Sequence, residues 1–307
     1  MEMISIIVPC YNEEESLPLF YPRVCALAEK MAPVAFEFIF VDDGSKDNTV
    51  KILRDLNKKD ARVRYVSFSR NFGKEAAMYA GFRAAKGDYA VSVDADLQHP
   101  PEMIEDMYRA IQEEGYDCVA ARRFDRKGEP FFKRIFSSLF YKLINAISET
   151  KLVSGACDYR LMKRRMLDAV LALSERKRFS KGIFDWVGFK TKWVGFENVA
   201  RAAGSSKWSF FKLLKYSLEG ILAFSVAPLA IATFLGLTAL AASLVMLIVL
   251  LCTLPGSTAL IVSTLVVFMG GLNLLCLGIL SQYNAKSYTE LKGRPIYIAR
   301  ETEEDNQ

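Results

Sequence analysis

From Met1 to about Ala120 the chain alternates short apolar runs with amphipathic stretches. Ile4–Val8, Phe36–Val41, Val63–Phe68, Tyr89–Val93 and Cys118–Ala121 are rich in branched or aromatic residues and bounded by turn formers, so each reads as a strand. Between them the spacing predicts helices. The clearest run over Glu75–Lys86, closed by Gly87, and over Pro101–Glu114, opened by proline and closed by Gly115. That alternation predicts a mostly parallel sheet with helices on both faces. In such sheets ligands gather at the carboxyl ends of the strands.

Further along the pattern changes. Phe131, Phe132, Ile135, Phe136, Leu139, Phe140, Leu143 and Ile144 recur at helical spacing with Lys133, Arg134 and Lys142 between them, which fits a core helix or an interfacial one. Trp208, Phe210, Phe211, Leu214 and Leu218 repeat the pattern with Lys212 and Lys215, and here a membrane-surface helix over 208–227 is expected. Gly220 to Ala285 then holds no charged residue and no histidine over 66 positions. Leu229–Leu251 and Ala259–Leu280, at ~1.5 Å per residue, would each reach about 33 to 35 Å, against a hydrocarbon core of roughly 30 Å. With a turn at Pro255-Gly256 between them they predict a transmembrane hairpin over 228–285. Lysines before it, and Lys286, Lys292, Arg294 and Arg300 after it, place both ends on the cytoplasmic side. The expected organisation is a cytoplasmic domain over 1–207, the surface helix, the hairpin, and a cytoplasmic tail over 286–307.

Composition sharpens this. The 307 residues are 51% hydrophobic and 24% charged, enough for a large core and too apolar for a disordered chain. All 75 charged residues fall outside the uncharged tract, which argues against a wholly soluble protein. The net charge of +5 is modest and its basic residues are interleaved with acidic ones, so nucleic acid is not an expected partner. The six cysteines show neither CxxC nor Cys/His spacing, which removes a zinc site or disulfide framework and fits a reducing compartment. Ile4–Val8 is too short for a secretory signal or a span.

The polar residues concentrate at the predicted strand ends. Pro9-Cys-Tyr-Asn-Glu13-Glu14 follows the first strand, Asp42-Asp43-Gly44-Ser45 the second and Asp94-Ala95-Asp96-Leu97-Gln98 the fourth. One acidic strand end is often a helix cap; three together point to a site. Asp94 and Asp96, two residues apart, can both reach a cation, and hard oxygen ligands suit Mg²⁺ or Mn²⁺ carrying a diphosphate. GxGxxG and GxxxxGK[ST] are both absent, so dinucleotide and P-loop chemistry have no support.

VPCYNEE (8–14), VDDGSKDNT (41–49), SRNFGKEAAMYAGF (69–82), DADLQHPPE (94–102), DYRLM (158–162) and the paired apolar segments resemble polyprenyl-phosphate glycosyltransferases. These are relatives of dolichyl-phosphate mannose synthase within the inverting GT-A glycosyltransferases of family 2, and the bactoprenol (undecaprenyl-phosphate) glucosyltransferases look most alike. The resemblance implies a GT-A, Rossmann-like α/β domain followed by interfacial helices and the hairpin. It implies transfer of a hexose from a UDP-sugar, UDP-glucose or UDP-GlcNAc, to undecaprenyl phosphate at the cytoplasmic leaflet of the plasma membrane, with Mg²⁺ or Mn²⁺. Homo-oligomers occur among relatives. By match of position, Pro9, Tyr11, Glu13, Asp43, Asp94 and Ala95 hold the nucleotide, and Arg201 and Lys207 contact phosphate on the donor side. Arg123 and Arg126 meet the acceptor phosphate, Asp94, Asp96 and Gln98 serve the metal, and Asp158 with Asp96 serves the chemical step.

The chain also departs from that pattern. Cys157 stands where a glycine usually precedes the aspartate, which puts the backbone around Asp158 in question, and Ser281–Lys286 replaces a more usual GEYIGR. His99, the only histidine, is followed by two prolines and fits a supporting loop role better than acid-base work; Trp186 and Trp193 fit either core or sugar platform. A processive polysaccharide synthase would carry QxxRW, which is absent. A catalytically dead adaptor would be expected to have lost an acidic ligand, and none is lost. A mannosyl- or aminoarabinosyl-transferase shares the same motifs and differs only in the sugar.

Overall fold

The computed structural model describes residues 1–123, 153, 155–176, 178–196 and 258–306, with isolated helical positions at 234, 236–239, 241, 242 and 245. The first half alternates as expected: β1 (Met3–Cys10), α1 (Leu17–Lys30), β2 (Ala35–Asp42), α2 (Thr49–Lys59), β3 (Val63–Phe68), α3 (Lys74–Ala84), β4 (Tyr89–Ser92), α4 (Met103–Glu114) and β5 (Cys118–Arg123). Then come β6 (Ala156–Lys163), α5 (Arg164–Ala172), α6 (Ser180–Trp186), β7 (Thr191–Phe196), α7 (Thr258–Leu291), β8 (Ala299–Thr302) and a final 3-10 turn.

Eight strands form one sheet in the order β7-β5-β6-β4-β1-β2-β3-β8. β1, β2, β3 and β4 are mutually parallel, and β5 is parallel to β7. β6 is inserted antiparallel between β4 and β5, and β8 closes the far edge antiparallel to β3. The sheet is therefore mixed, with its parallel heart in the first four strands. Both faces are covered, which is why the central strands read as continuous apolar runs. Ile4, Ile6 and Val8 of β1 with Phe36, Phe38 and Phe40 of β2 point into one core, toward α1 and α4; Ile7, Ile39 and Val41 point into the other, toward α3. A fully buried side chain such as Phe38 is worth about 1.5–3 kcal/mol relative to leaving it in water. Pro9 lies beyond the last β1–β4 pair, Ile7–Ser92, where a missing N–H takes least from the ladder.

The chain runs β1, β2, β3 in one direction, then crosses back to lay β4 on the other side of β1. The loops after β1 and β4 therefore lie side by side at the carboxyl edge, both leading into helices on the same face, and that edge is where ligands of α/β sheets bind.

The expected transmembrane hairpin is corrected. Among the described residues no helix is long and apolar enough to cross a membrane. The segment 259–280 lies within α7, a helix of 34 residues that does not stop where the apolar run stops. It continues through Lys286 to Glu290, whose carboxylate accepts from the backbone N of Arg176 at 3.0 and 3.1 Å. An uncharged stretch of sequence thus does not delimit a bilayer-spanning element here, because the helix extends into polar residues tied to the sheet domain. The expected span 229–251 falls almost wholly outside the described residues, as do the helices expected over 131–144 and 208–227.

Candidate active site

The site is assembled from loops at the carboxyl edge. Asp42, fully buried at the end of β2, accepts from Ser45 N at 3.0 Å and from Ser67 Oγ of β3 at 2.8 Å, which folds the Asp-Asp-Gly-Ser turn back on itself. Gly44 has φ +70°, and an added Cβ would lie 2.5 Å from the carbonyl carbon of Arg70. Only glycine fits that position. Asn12, also at positive φ, donates its backbone N to Ser45 Oγ (2.9 Å) and accepts from Lys46 N (2.9 Å), so the loop after β1 is tied to the loop after β2. Glu13 N donates to Thr49 Oγ1 at 2.9 Å, and its carboxylate accepts from Ser16 Oγ at 2.7 Å.

Asp43 reaches across to the loop after β3. Its carboxylate accepts from Phe72 N at 2.6 Å and from Gly73 N at 3.0 and 3.1 Å. Burial drives this carboxyl up to about 6, and the Asp42 charge adds to that, while the two N–H donors hold it down in part. Asp43 thereby fixes the entry to α3, whose first residue is Lys74.

Lys74 is the centre of the arrangement. Its Nζ lies 2.7 Å from Oδ1 and 2.9 Å from Oδ2 of Asp94, and 3.5 Å from Oδ2 of Asp158. Burial works against its charge, but Asp94 and Asp158 more than offset this and hold the ammonium above its ordinary value. Burial likewise works against both carboxylates, yet Lys74 holds Asp94 below its usual range, and Lys74, Lys181 and Arg160 bring Asp158 down to about 2. Asp158 Oδ1 is buried without a hydrogen-bond partner.

The register explains the meeting. In the antiparallel β4–β6 ladder Val91 pairs with Leu161, so three residues further along Asp94 stands level with Asp158. Cys157 has the ordinary strand backbone of β6 rather than a positive φ, so the missing glycine leaves the geometry at Asp158 intact. Two residues on, Arg160 is fully buried, its guanidinium 4.0 Å over the ring of Phe184 and 5.7 Å from that of Trp193. Trp193 therefore belongs to the packing around Arg160, while Trp186 is 57% exposed.

In the loop after β4, Asp96 accepts from Gln98 N at 3.1 Å, Ala95 is buried, and Leu97 has φ +57°. His99 packs edge-on against Phe196 and tilted against Tyr159, whose hydroxyl donates to Pro100 O at 2.8 Å. His99 is thus buried among aromatic side chains. Tyr11 follows directly on β1, and Arg123 closes β5 opposite Phe196 of β7. Arg126, Arg201 and Lys207 lie outside the described residues. Lys74 was not singled out from sequence, although a lysine directly after Asn-Phe-Gly at a helix start was the available signal.

The donor set fits a metal of one kind. Among the described residues no three or more His, Cys, Asp or Glu side chains group to hold an ion. Mg²⁺ and its like take one or two carboxylates and complete their shell with water and substrate phosphate. Asp94 and Asp96 on one loop meet that need, so the residues suit a cation arriving with a diphosphate and not a closed protein cage.

The profile of "Glycosyl transferase family 2" matches residues 5–171, from β1 to α5, which includes every loop of this site. The chain belongs to glycosyl transferase family 2. This family 2 enzyme is 40% identical over 312 residues to the putative glycosyltransferase CsbB of Bacillus subtilis (strain 168), covering 99% of this chain and 93% of that one. It is 40% identical over 310 residues to the SfII prophage-derived bactoprenol glucosyl transferase of Shigella flexneri, covering 99% of both. Among solved structures, glucosyl-3-phosphoglycerate synthase of Mycobacterium tuberculosis in complex with Mn²⁺ and UDP-glucose is 18% identical, covering 72% of this chain and 77% of that one, with a TM-score of 0.45. The family 2 enzyme is a glycosyltransferase, and its mixed α/β sheet is the GT-A-like part of the expected fold.

Proposed function

We propose that the enzyme transfers one hexose from a UDP-sugar, UDP-glucose or UDP-GlcNAc, to undecaprenyl phosphate, with inversion, giving a polyprenyl-monophosphate sugar for modification of cell-surface glycans. The carrying observation is the convergence of Asp94 and Asp158 on Lys74 at the carboxyl edge of the sheet. Near full-length identity of 40% to a protein named bactoprenol glucosyl transferase supports the polyprenyl acceptor and the glucose. The acceptor is a lipid, so the reaction is assigned to the cytoplasmic face of the plasma membrane.

In this reading Pro9, Tyr11, Glu13, Asp43, Asp94 and Ala95 frame the nucleotide, with Arg201 and Lys207 on its phosphates. Arg123 and Arg126 receive the acceptor phosphate, arginine being suited to bidentate phosphate contact. Asp94 and Asp96, with Gln98, would hold Mg²⁺ or Mn²⁺. When bound, that ion would stabilise charge gathering on the departing diphosphate. Asp43 and Gly44 set the loop that receives the nucleotide, and Lys74 orients Asp94 and Asp158.

The test is incubation of the purified protein and undecaprenyl phosphate with UDP- and GDP-sugars, followed by mass spectrometry of the lipid. A hexose added from UDP-glucose is expected. Mannose from GDP-mannose or an aminoarabinosyl product would replace the donor assignment, and no product with any donor would remove the acceptor. Chelation should abolish transfer and Mg²⁺ or Mn²⁺ should restore it; undiminished rates in excess chelator would overturn the metal assignment.

A further inference from the structure

Lys74 places a cation where a divalent ion would have to go. Its Nζ touches both oxygens of Asp94, at 2.7 and 2.9 Å, so the carboxylate has neither oxygen clear of the ammonium. A metal on that carboxylate would sit at about 2.0–2.6 Å from an oxygen, and two cations so close repel strongly. The backbone cannot relieve this, because the start of α3 is clasped by Asp43 through Phe72 N and Gly73 N, and Gly44 packs against Arg70 and Asn71 just before it. Among the described residues the side chain has one other carboxylate within reach, Asp158, whose Oδ2 is already 3.5 Å away and whose Oδ1 is buried with no hydrogen-bond partner.

We propose that Lys74 is a built-in counter-ion with two stations, holding Asp94 until a nucleoside diphosphate arrives and then resting on Asp158, so that a divalent cation is taken up with the diphosphate and not before it. The oxygens of the diphosphate supply the ligands that let the metal displace the ammonium from Asp94. Asp158 receives the displaced charge and is thereby oriented only once the donor is in place. Lys74 is in this sense a positioning residue. The inference deepens the metal assignment above and rests on it.

The experiment is calorimetric titration of the full chain with Mn²⁺, with and without saturating UDP. Wild type should bind Mn²⁺ weakly alone and far more tightly with UDP. Lys74→Met should tighten binding of Mn²⁺ alone by about tenfold or more, the scale on which losing an adjacent like charge shifts a site, and so narrow the gap between the two titrations. Lys74→Arg, which keeps the charge, should stay close to wild type. Should Lys74→Met not fold, Lys74→Gln decides the matter, since its amide can still donate to Asp94 without the charge. Equal Mn²⁺ affinity of the neutral variants and wild type in the absence of UDP would overturn the two-station role while leaving the metal assignment standing. Failure of wild type to bind Mn²⁺ even with UDP would overturn both.

Discussion

Asp43 shows how a single carboxyl can serve a site at a cost to stability. It is 4% exposed and held at about 6, above the ordinary 3.8, with burial the main cause. The folded chain therefore binds a proton there more tightly than the unfolded chain does. Stability from this group is intact below about pH 4, falls as pH rises from 4 to 6, and stays lower above that. The full effect is about 2–3 kcal/mol. Asp43→Asn retains an oxygen to accept from Phe72 and Gly73 but cannot ionise, so its urea-denaturation stability should be flatter between pH 4 and 7 than that of wild type. Parallel profiles would show that Asp43 does not titrate in that window. Gly44 makes a second case at the same turn. Gly44→Ala meets a left-handed backbone worth roughly 1–2 kcal/mol against it and a contact with Arg70 that the turn must move to relieve. Both a lower denaturation midpoint and a higher KM for the donor are expected.

At the scale of elements, the edge strand β8 reaches the site through a relay. Arg300 Nη2 donates to Ser67 Oγ (3.2 Å), Ser67 donates to Asp42, and Asp42 holds the turn at Ser45. β8 is fastened by Arg54 on Glu301 (2.6 and 2.9 Å), and the residues flanking it by Arg64 on Glu303 (2.8 Å) and by Tyr297 stacked on Phe68 (4.8 Å between centroids). Arg54 is 42% exposed, and such pairs contribute about 0.2–1 kcal/mol, so Arg54→Ala should cost little. Deleting 297–307 removes the whole strand. Amide exchange at Val66–Phe68 should then accelerate strongly and donor affinity fall, and unchanged exchange would mean that β8 does not protect β3. The parallel core was legible from sequence because buried parallel strands read as apolar runs, and β1 to β5 lie where Ile4–Val8 through Cys118–Ala121 predicted them. β6 and β8 were not, since an inserted antiparallel strand carries no periodicity that sets it apart. For the same reason Asp94 and Asp96 could be read as a pair, whereas the meeting of Asp94 with Asp158 through Lys74 depends on the β4–β6 register. The uncharged tract misled because absence of charge reports hydropathy and not where a helix begins and ends.

At the scale of the whole molecule, the inserted β6 joins two functions across one sheet. The parallel half brings the loops proposed to receive the nucleotide, and β6 brings Asp158 level with Asp94 on one of them. What Asp158 does there follows from its charge state. With Lys74, Lys181 and Arg160 holding it at about 2, it is ionised throughout the working range and is a weak proton acceptor. The proposed acceptor needs little help, because a phosphate monoester has its second pKa at about 6 and is mostly dianionic at neutral pH. A carboxylate so placed is better suited to orienting the acceptor and stabilising positive charge that develops on the sugar than to removing a proton. The expected reaction is in-line displacement with inversion, an α-linked UDP-sugar giving a β-linked lipid phosphate with no covalent sugar-enzyme intermediate. Asp158→Asn should lower kcat severely while leaving the acidic limb of the pH-rate profile where it is in wild type, because that limb would report the acceptor phosphate. Loss of that limb in the variant would establish Asp158 as a general base, a role typically worth 10²- to 10⁴-fold, and would refute the argument from phosphate acidity. A retained anomeric configuration in the NMR spectrum of the product would refute single in-line displacement itself, since one such displacement inverts the anomeric carbon.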